Sequence, residues 1–229
     1  MTTSRDTILN KLRAARRPFE DAPPQPKDYL PVTSIDDTSP DGLLARFSKE
    51  LEALKGQCFP VVGDQAACDQ VVELLRSHHA TSILAWDFAC IPVEGLEDAI
   101  RAAGITIIQP DLRDEFRPEV IESMRDAQCG VTGVDAAAAT TATLIVSTGR
   151  GKGRMPTVLA PVWIPVFTIE QLVPRIEDWV ARERARDLET IRSSANVAFI
   201  TGPSRTGDIE MEMILGVHGS GIVQAIVKK

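Results

Sequence analysis

No run of apolar residues in this 229-residue chain approaches the roughly 18 to 20 needed to cross a bilayer. The first 17 residues are mixed polar and basic and lack an apolar core, so no secretion signal is read there, and a cytoplasmic location is expected. Cysteine is scarce and scattered: Cys58, Cys68, Cys90 and Cys129 form no C-x-x-C pair and have no histidine at zinc-site spacing. Iron–sulfur clusters need closely spaced thiolates, so this chain is expected to hold no cluster and no other metal, its thiols being buried and reduced. Basic excess is also missing. With 25 Lys and Arg against 32 Asp and Glu, the net charge of −7 argues against a duplex nucleic acid partner, although a local basic patch could still take a small anion. Neither a G-x-S-x-G elbow nor a P-loop occurs, which argues against serine-hydrolase chemistry and a Walker-type phosphate site.

What is present is a chain with 44% hydrophobic residues, enough for a real core. Residues 4–16 place Ile8, Leu9 and Leu12 at helical spacing. Residues 18–40 hold six prolines and read as an extended connector, so residues 1–40 form an amino-terminal helix and proline-rich arm. From residue 41 to 229 the pattern is that of one α/β domain. A helix carries Leu43, Leu44, Phe47, Leu51 and Leu54 on one face, followed by a strand at 58–62 and a helix at 66–77. A strand at 81–85, a helix at 96–103 and a strand at 105–108 continue the alternation, with a further helix at 119–125. Strands at 128–132 and 143–147 flank an alanine-rich turn of helix, and a strand follows at 162–167. A long charged helix covers 169–191, and late strands lie at 196–200 and 221–227. Strands apolar throughout and alternating with helices predict a parallel-rich sheet flanked by helices on both faces.

Four stretches could carry chemistry. Gly202, Pro203, Ser204, Arg205, Thr206 and Asp208 follow the 196–200 strand at its carboxyl end, where open α/β sheets bind ligands, and lead toward an expected helix start. Arg205 suits a carboxylate or phosphate; equally, these residues could form a structural turn with Arg205 paired to Asp208. Gly216, Val217, His218 and Gly219 allow close backbone approach around a histidine, a side chain able to serve as a general acid, a base or a hydrogen-bond donor. By contrast, His78 and His79 read as carboxy-terminal helix caps. The loop Gly149, Arg150, Gly151, Lys152, Gly153 and Arg154 could close over an anionic ligand, though its glycine spacing fits no phosphate fingerprint. Finally, Val131, Thr132, Asp135 and the run Thr140, Thr141, Ala142 and Thr143 could line a polar pocket or simply pack closely.

Together these segments resemble the LUD-domain family of lactate-utilization proteins, in its short C-type branch. The likeness spans nearly the whole chain, from Ile8 to Arg13 and through Val131, Thr132, Asp135, Thr141, Thr143, Gly153 and Arg154. Its most specific pieces are Gly202 to Thr206 with Asp208, Ile209 and Glu210, then Leu215, Gly216, Val217, His218 and Gly219. The resemblance implies a fold like the ribose-phosphate isomerase, glucosamine-phosphate deaminase and CoA-transferase group. It also implies a cluster-free subunit of an iron–sulfur protein complex that oxidises L-lactate to pyruvate, with the clusters on partner subunits. Thr141, Thr143, Arg154, Gly202, Ser204, Arg205, Thr206, Asp208 and Gly219 would then bind a small anionic metabolite, with His218 as the catalytic candidate. Two departures stand out. Thr140 replaces the family's acidic residue, and Ala142 replaces a glycine that suits positive φ. The alternatives are a stand-alone enzyme acting on a phosphorylated or CoA-linked metabolite, or an assembly module without catalysis.

Overall fold

The structure, a computed structural model, describes residues 3–15, 33–109, 117–207 and 213–229. Helix α1 (Ser4–Ala15) forms where the apolar spacing predicts it and leaves Ile8 and Leu12 exposed. It belongs to a separate unit, and residues 33–229 form the other. Most of the proline-rich connector, residues 18–32, lies outside the described residues.

In the main unit, α2 (Pro40–Ala53) starts where the Ser39 hydroxyl accepts the N–H of Gly42 and proline occupies the first turn. Its Leu43, Leu44, Phe47 and Leu51 are buried, and Phe47 meets Phe167 edge-on at 5.5 Å. There follow β1 (Gln57–Val61), α3 (Gly63–Ser77), β2 (Ser82–Ala85), α4 (Leu96–Ala102), β3 (Thr106–Ile108), α5 (Arg117–Met124) and β4 (Cys129–Thr132). A short excursion through β5 (Ala136–Ala138), β6 (Thr143–Ser147) and α6 (Met155–Val158) leads to β7 (Val162–Thr168). The remainder is β8 (Leu172–Val173), α7 (Ile176–Ala185), α8 (Glu189–Ser193), β9 (Val197–Thr201), β10 (Arg205–Gly207), β11 (Met213–Leu215) and β12 (Ile222–Lys228).

Six strands form a wholly parallel sheet in the order β1-β12-β7-β4-β2-β3. Its inner strands are buried on both faces, as their unbroken apolar runs require. Ile83 of β2 packs in a core with Val71, Leu75, Leu96 and Ile100 from α3 and α4. Neighbouring Leu84 points the other way, to Met124 of α5 and Met155 beside it. Each large apolar side chain so buried contributes about 1.5–3 kcal/mol. The α/β class with a parallel-rich sheet flanked by helices is thus as expected.

The second sheet, β8-β5-β6-β9, departs from the sequence reading. Ala136–Ala138 is not a turn of helix but a fully buried strand, antiparallel to β6 and parallel to β8. Pairing on both edges, in a space only small side chains fill, overrides the helix preference of alanine. The long helix expected over 169–191 is also broken. Pro174 keeps Leu172 and Val173 extended, so that Ala139 can donate to the Val173 carbonyl. Farther on, Asp187 and Leu188 take positive φ of 56° and 57° and separate α7 from α8.

Candidate functional site

Strand β9 ends at Thr201, and the chain turns at Gly202 with φ +71°. A Cβ at this position would lie 2.9 Å from the Leu54 Cβ, so both the backbone angle and the space require glycine. The next residues meet the Gly216–Ser220 segment through two backbone bonds and one to a side chain. Ser204 donates its N–H to the Ser220 carbonyl at 2.8 Å, and Gly216 donates to the Ser204 carbonyl at 3.0 Å. The His218 N–H donates to the Ser204 hydroxyl at 3.4 Å.

Positions 205–207 are extended, and the positions after them, 208–212, where the expected helix start would follow, lie outside the described residues. Arg205 and Thr206 pair with Leu215 and Ile214 in a two-stranded antiparallel ribbon, which carries the chain back and delivers His218 and Gly219 beside Ser204. Asp208 lies outside the described residues, as do Ile209 and Glu210. The exposed Arg205 guanidinium donates to the Leu54 carbonyl at the end of α2, where uncapped carbonyls favour a cation. Among the described residues its guanidinium has no second partner. The His218 side chain is likewise exposed.

Thr141 and Thr143 adjoin the same turn. Antiparallel pairing sets Thr143 opposite Thr201, and the buried Thr143 hydroxyl lies 2.7 Å from that of Thr141 and 2.8 Å from that of Thr201. Three hydroxyl protons serve two hydrogen bonds, so one O–H of the three is not spent within the chain. Between them Ala142 has φ +48°, a left-handed conformation that glycine adopts without strain. Thr140 is buried and accepts a hydrogen bond from Thr33 at 3.1 Å, so no carboxylate acts from this position.

The position of this cluster corrects one premise. Strand β9 lies in the second sheet, so Thr201 does not mark the carboxyl edge of the parallel one. Leu54 precedes β1, and Gly221 donates to the carbonyl of Pro161 just before β7. Ser220, just before β12, donates to the Ala160 carbonyl at 2.7 Å. The joined loops therefore sit at the amino edge of the parallel sheet. Gly202, Ser204, Arg205, Thr206, His218 and Gly219 come together there, with Thr141 and Thr143 behind them.

Arg154 is the exception, standing at the opposite edge. The loop before it is held down rather than free to close. Asp87 donates to the Gly151 carbonyl at 2.8 Å, and the Trp86 indole donates to the Gly153 carbonyl at 2.8 Å. The Lys152 ammonium lies 2.6 Å from Asp135 and 5.4 Å from the centre of a Trp86 ring. Asp135 also accepts the Ser147 N–H at 2.5 Å. Lys152 and Asp135 form part of the wall of a cleft of about 710 Å³ that runs under α7 and α8 past Glu170, Arg182 and Glu189. The sequence reading did not single out this cleft. Its walls come from residues up to 59 positions apart, Asp135 to Ser194, with no local spacing to signal them.

A parallel α/β sheet with a small second sheet and two glycine-rich segments joined at its amino edge defines the class of protein. The chain matches the family model of the LUD domain over residues 44–227. It is 31% identical over 179 residues to a lactate utilization protein C of Halalkalibacterium halodurans, a match covering 74% of each chain. A lactate utilization protein C of a Geobacillus species is 31% identical over 180 residues, covering 74% of this chain and 73% of that one. The crystal structure of a DUF162 family protein from Deinococcus radiodurans shares the fold, with a TM-score of 0.60 at 17% identity over 84% of this chain and 100% of that one. The chain belongs to the LUD-domain family. No helix among the described residues is long and apolar enough to cross a membrane.

Proposed function

We propose that the protein serves lactate utilization as the cluster-free subunit of an iron–sulfur complex that oxidises L-lactate to pyruvate. The observation that carries this reading is the meeting of the Gly202–Thr206 and Gly216–Ser220 segments, the two most specific family pieces, in one hydrogen-bonded cradle. Relatives named lactate utilization protein C supply the pathway.

The four cysteines do not fit a cluster. They sit on β1, on α3, in the turn at 88–90 and on β4. Burial pushes the Cys58 thiol up to about 11 and the Cys129 thiol to about 12, which disfavours the thiolate a cluster needs. The two electrons released when lactate becomes pyruvate are therefore assigned to clusters on partner subunits. In this reading Arg205 holds the carboxylate of the small anionic metabolite through guanidinium donors that have no partner among the described residues. The spare hydroxyl proton of the Thr141–Thr143–Thr201 chain donates to the ligand, and His218 accepts one of the two protons released with the electrons, the other passing to solvent.

The test is recovery of the protein from its native cells growing on lactate, assayed for bound iron and for lactate-dependent dye reduction. An iron-rich assembly with that activity is expected, and Arg205→Ala and His218→Ala should lower turnover without releasing the iron. An iron-free chain without lactate activity counts against the proposal.

A further inference from the structure

In the parallel sheet the strand order runs β7-β4-β2-β3. From β2 the chain moves outward to β3, and from β4 it moves the opposite way to β7. The gap between the carboxyl ends of β2 and β4 is therefore a topological switch point, the place where open α/β sheets bind their ligands. There the buried Trp86, which follows β2, is covered by the loop 149–153, its indole donating to the Gly153 carbonyl at 2.8 Å.

We infer that this switch point is a second ligand site, distinct from the cradle at the amino edge. It takes an organic oxyanion, whose phosphate or carboxylate rests on the 149–154 loop and whose hydroxyl-bearing body fills the adjoining cleft.

Three observations support it. First, the loop's cations are not all spent. Lys152 is paired with Asp135, whereas the exposed Arg150 and Arg154 make no ion pair among the described residues. Second, the loop is pre-formed. Gly149 and Lys152 exchange both backbone bonds, at 3.1 and 3.0 Å, and Gly151 has φ +74° against Asp87, where a Cβ would fall 2.8 Å from the Asp87 Cβ. Among the described residues the N–H groups of Gly151 and Gly153 have no acceptor, which leaves donors for an oxyanion. Third, the Asp135–Lys152 pair opens directly into the 710 Å³ cleft, where Glu170 and Glu189 offer acceptors for hydroxyl groups. The Thr168 hydroxyl holds the Glu170 carboxyl below its ordinary range, so it stays ionised and accepting.

The test uses the three tryptophan indole N–H signals of the full-length ¹⁵N-labelled protein. Glycerol 3-phosphate and glycerate are titrated separately, one carrying phosphate and the other carboxylate on a similar body. Saturable shifts of the Trp86 and Trp179 indoles are expected with at least one of them, and the responding ligand identifies the oxyanion. Trp163, buried and donating to Thr132 at 2.9 Å, should stay still. Arg150→Ala with Arg154→Ala should weaken the binding roughly tenfold or more, as the loss of charged hydrogen bonds implies. Arg205→Ala should leave it unchanged. No saturable shift with either ligand, insensitivity to the paired loop substitutions, or loss of binding on Arg205→Ala overturns the inference. None of these results bears on the lactate assay, which tests the other edge.

Discussion

The buried hydroxyl of Thr143 lies 2.8 Å from the hydroxyl of Thr201, joining the start of β6 to the end of β9 where the glycine turn begins. This contact ties the second sheet to the candidate site. Replacing Thr143 by valine keeps the shape and removes both of its side-chain bonds. Because Thr201 and Thr141 can turn partly to water, a loss of about 1–2 kcal/mol in urea unfolding is expected. Thr143→Ser should recover most of it.

Ala142 at φ +48° predicts an unusual response to glycine. The left-handed conformation costs a non-glycine residue about 1–2 kcal/mol, and losing the buried methyl gives back about 0.8. Ala142→Gly should therefore be neutral or slightly stabilising in thermal unfolding. Ala139→Gly, equally buried but without positive φ, should cost about 1 kcal/mol. Equal losses at the two positions would contradict the strain argument.

Gly202→Ala is expected to do the reverse. A methyl would fall 2.9 Å from the Leu54 Cβ at a backbone angle that disfavours it, so roughly 1–3 kcal/mol should be lost. Faster amide exchange should appear at Ser204, Gly216 and His218, whose bonds depend on that turn.

The thiols give a pH dependence with a definite sign. Burial raises Cys58 to about 11 and Cys129 to about 12, above the ordinary unfolded value of about 8.5. The folded state thus holds these protons more tightly. Its stability is fully present below the unfolded value and declines as pH rises from there through 11 and 12. Neither thiol should react with a disulfide reagent at pH 8 until the protein unfolds. Rapid modification of folded protein at Cys129 would contradict the burial.

Much of the parallel sheet was legible because its strands are buried on both sides and read as unbroken apolar runs. The expected strands at 58–62, 81–85 and 105–108 fall within one residue of β1, β2 and β3. The second sheet was not legible, since Ala136 to Ala138 carry no strand pattern and owe their form to partners on either side. The break at Pro174 could have been read from the residue itself, but the charged periodicity around it outweighed that signal. For the site, the sequence named Ser204 and His218 without showing how they meet. The pairing of Arg205–Gly207 with Met213–Leu215 that joins them is a matter of contact between segments. The Asp135–Lys152 pair was hidden for the same reason, its members lying 17 positions apart on separate loops.

Growth on L-lactate as sole carbon source, with the gene deleted and then restored, tests the central claim most directly. The account predicts that deletion abolishes growth on L-lactate but not on pyruvate, that the wild-type chain restores it, and that Arg205→Ala restores it poorly. Undiminished growth of the deletion strain on L-lactate would contradict it.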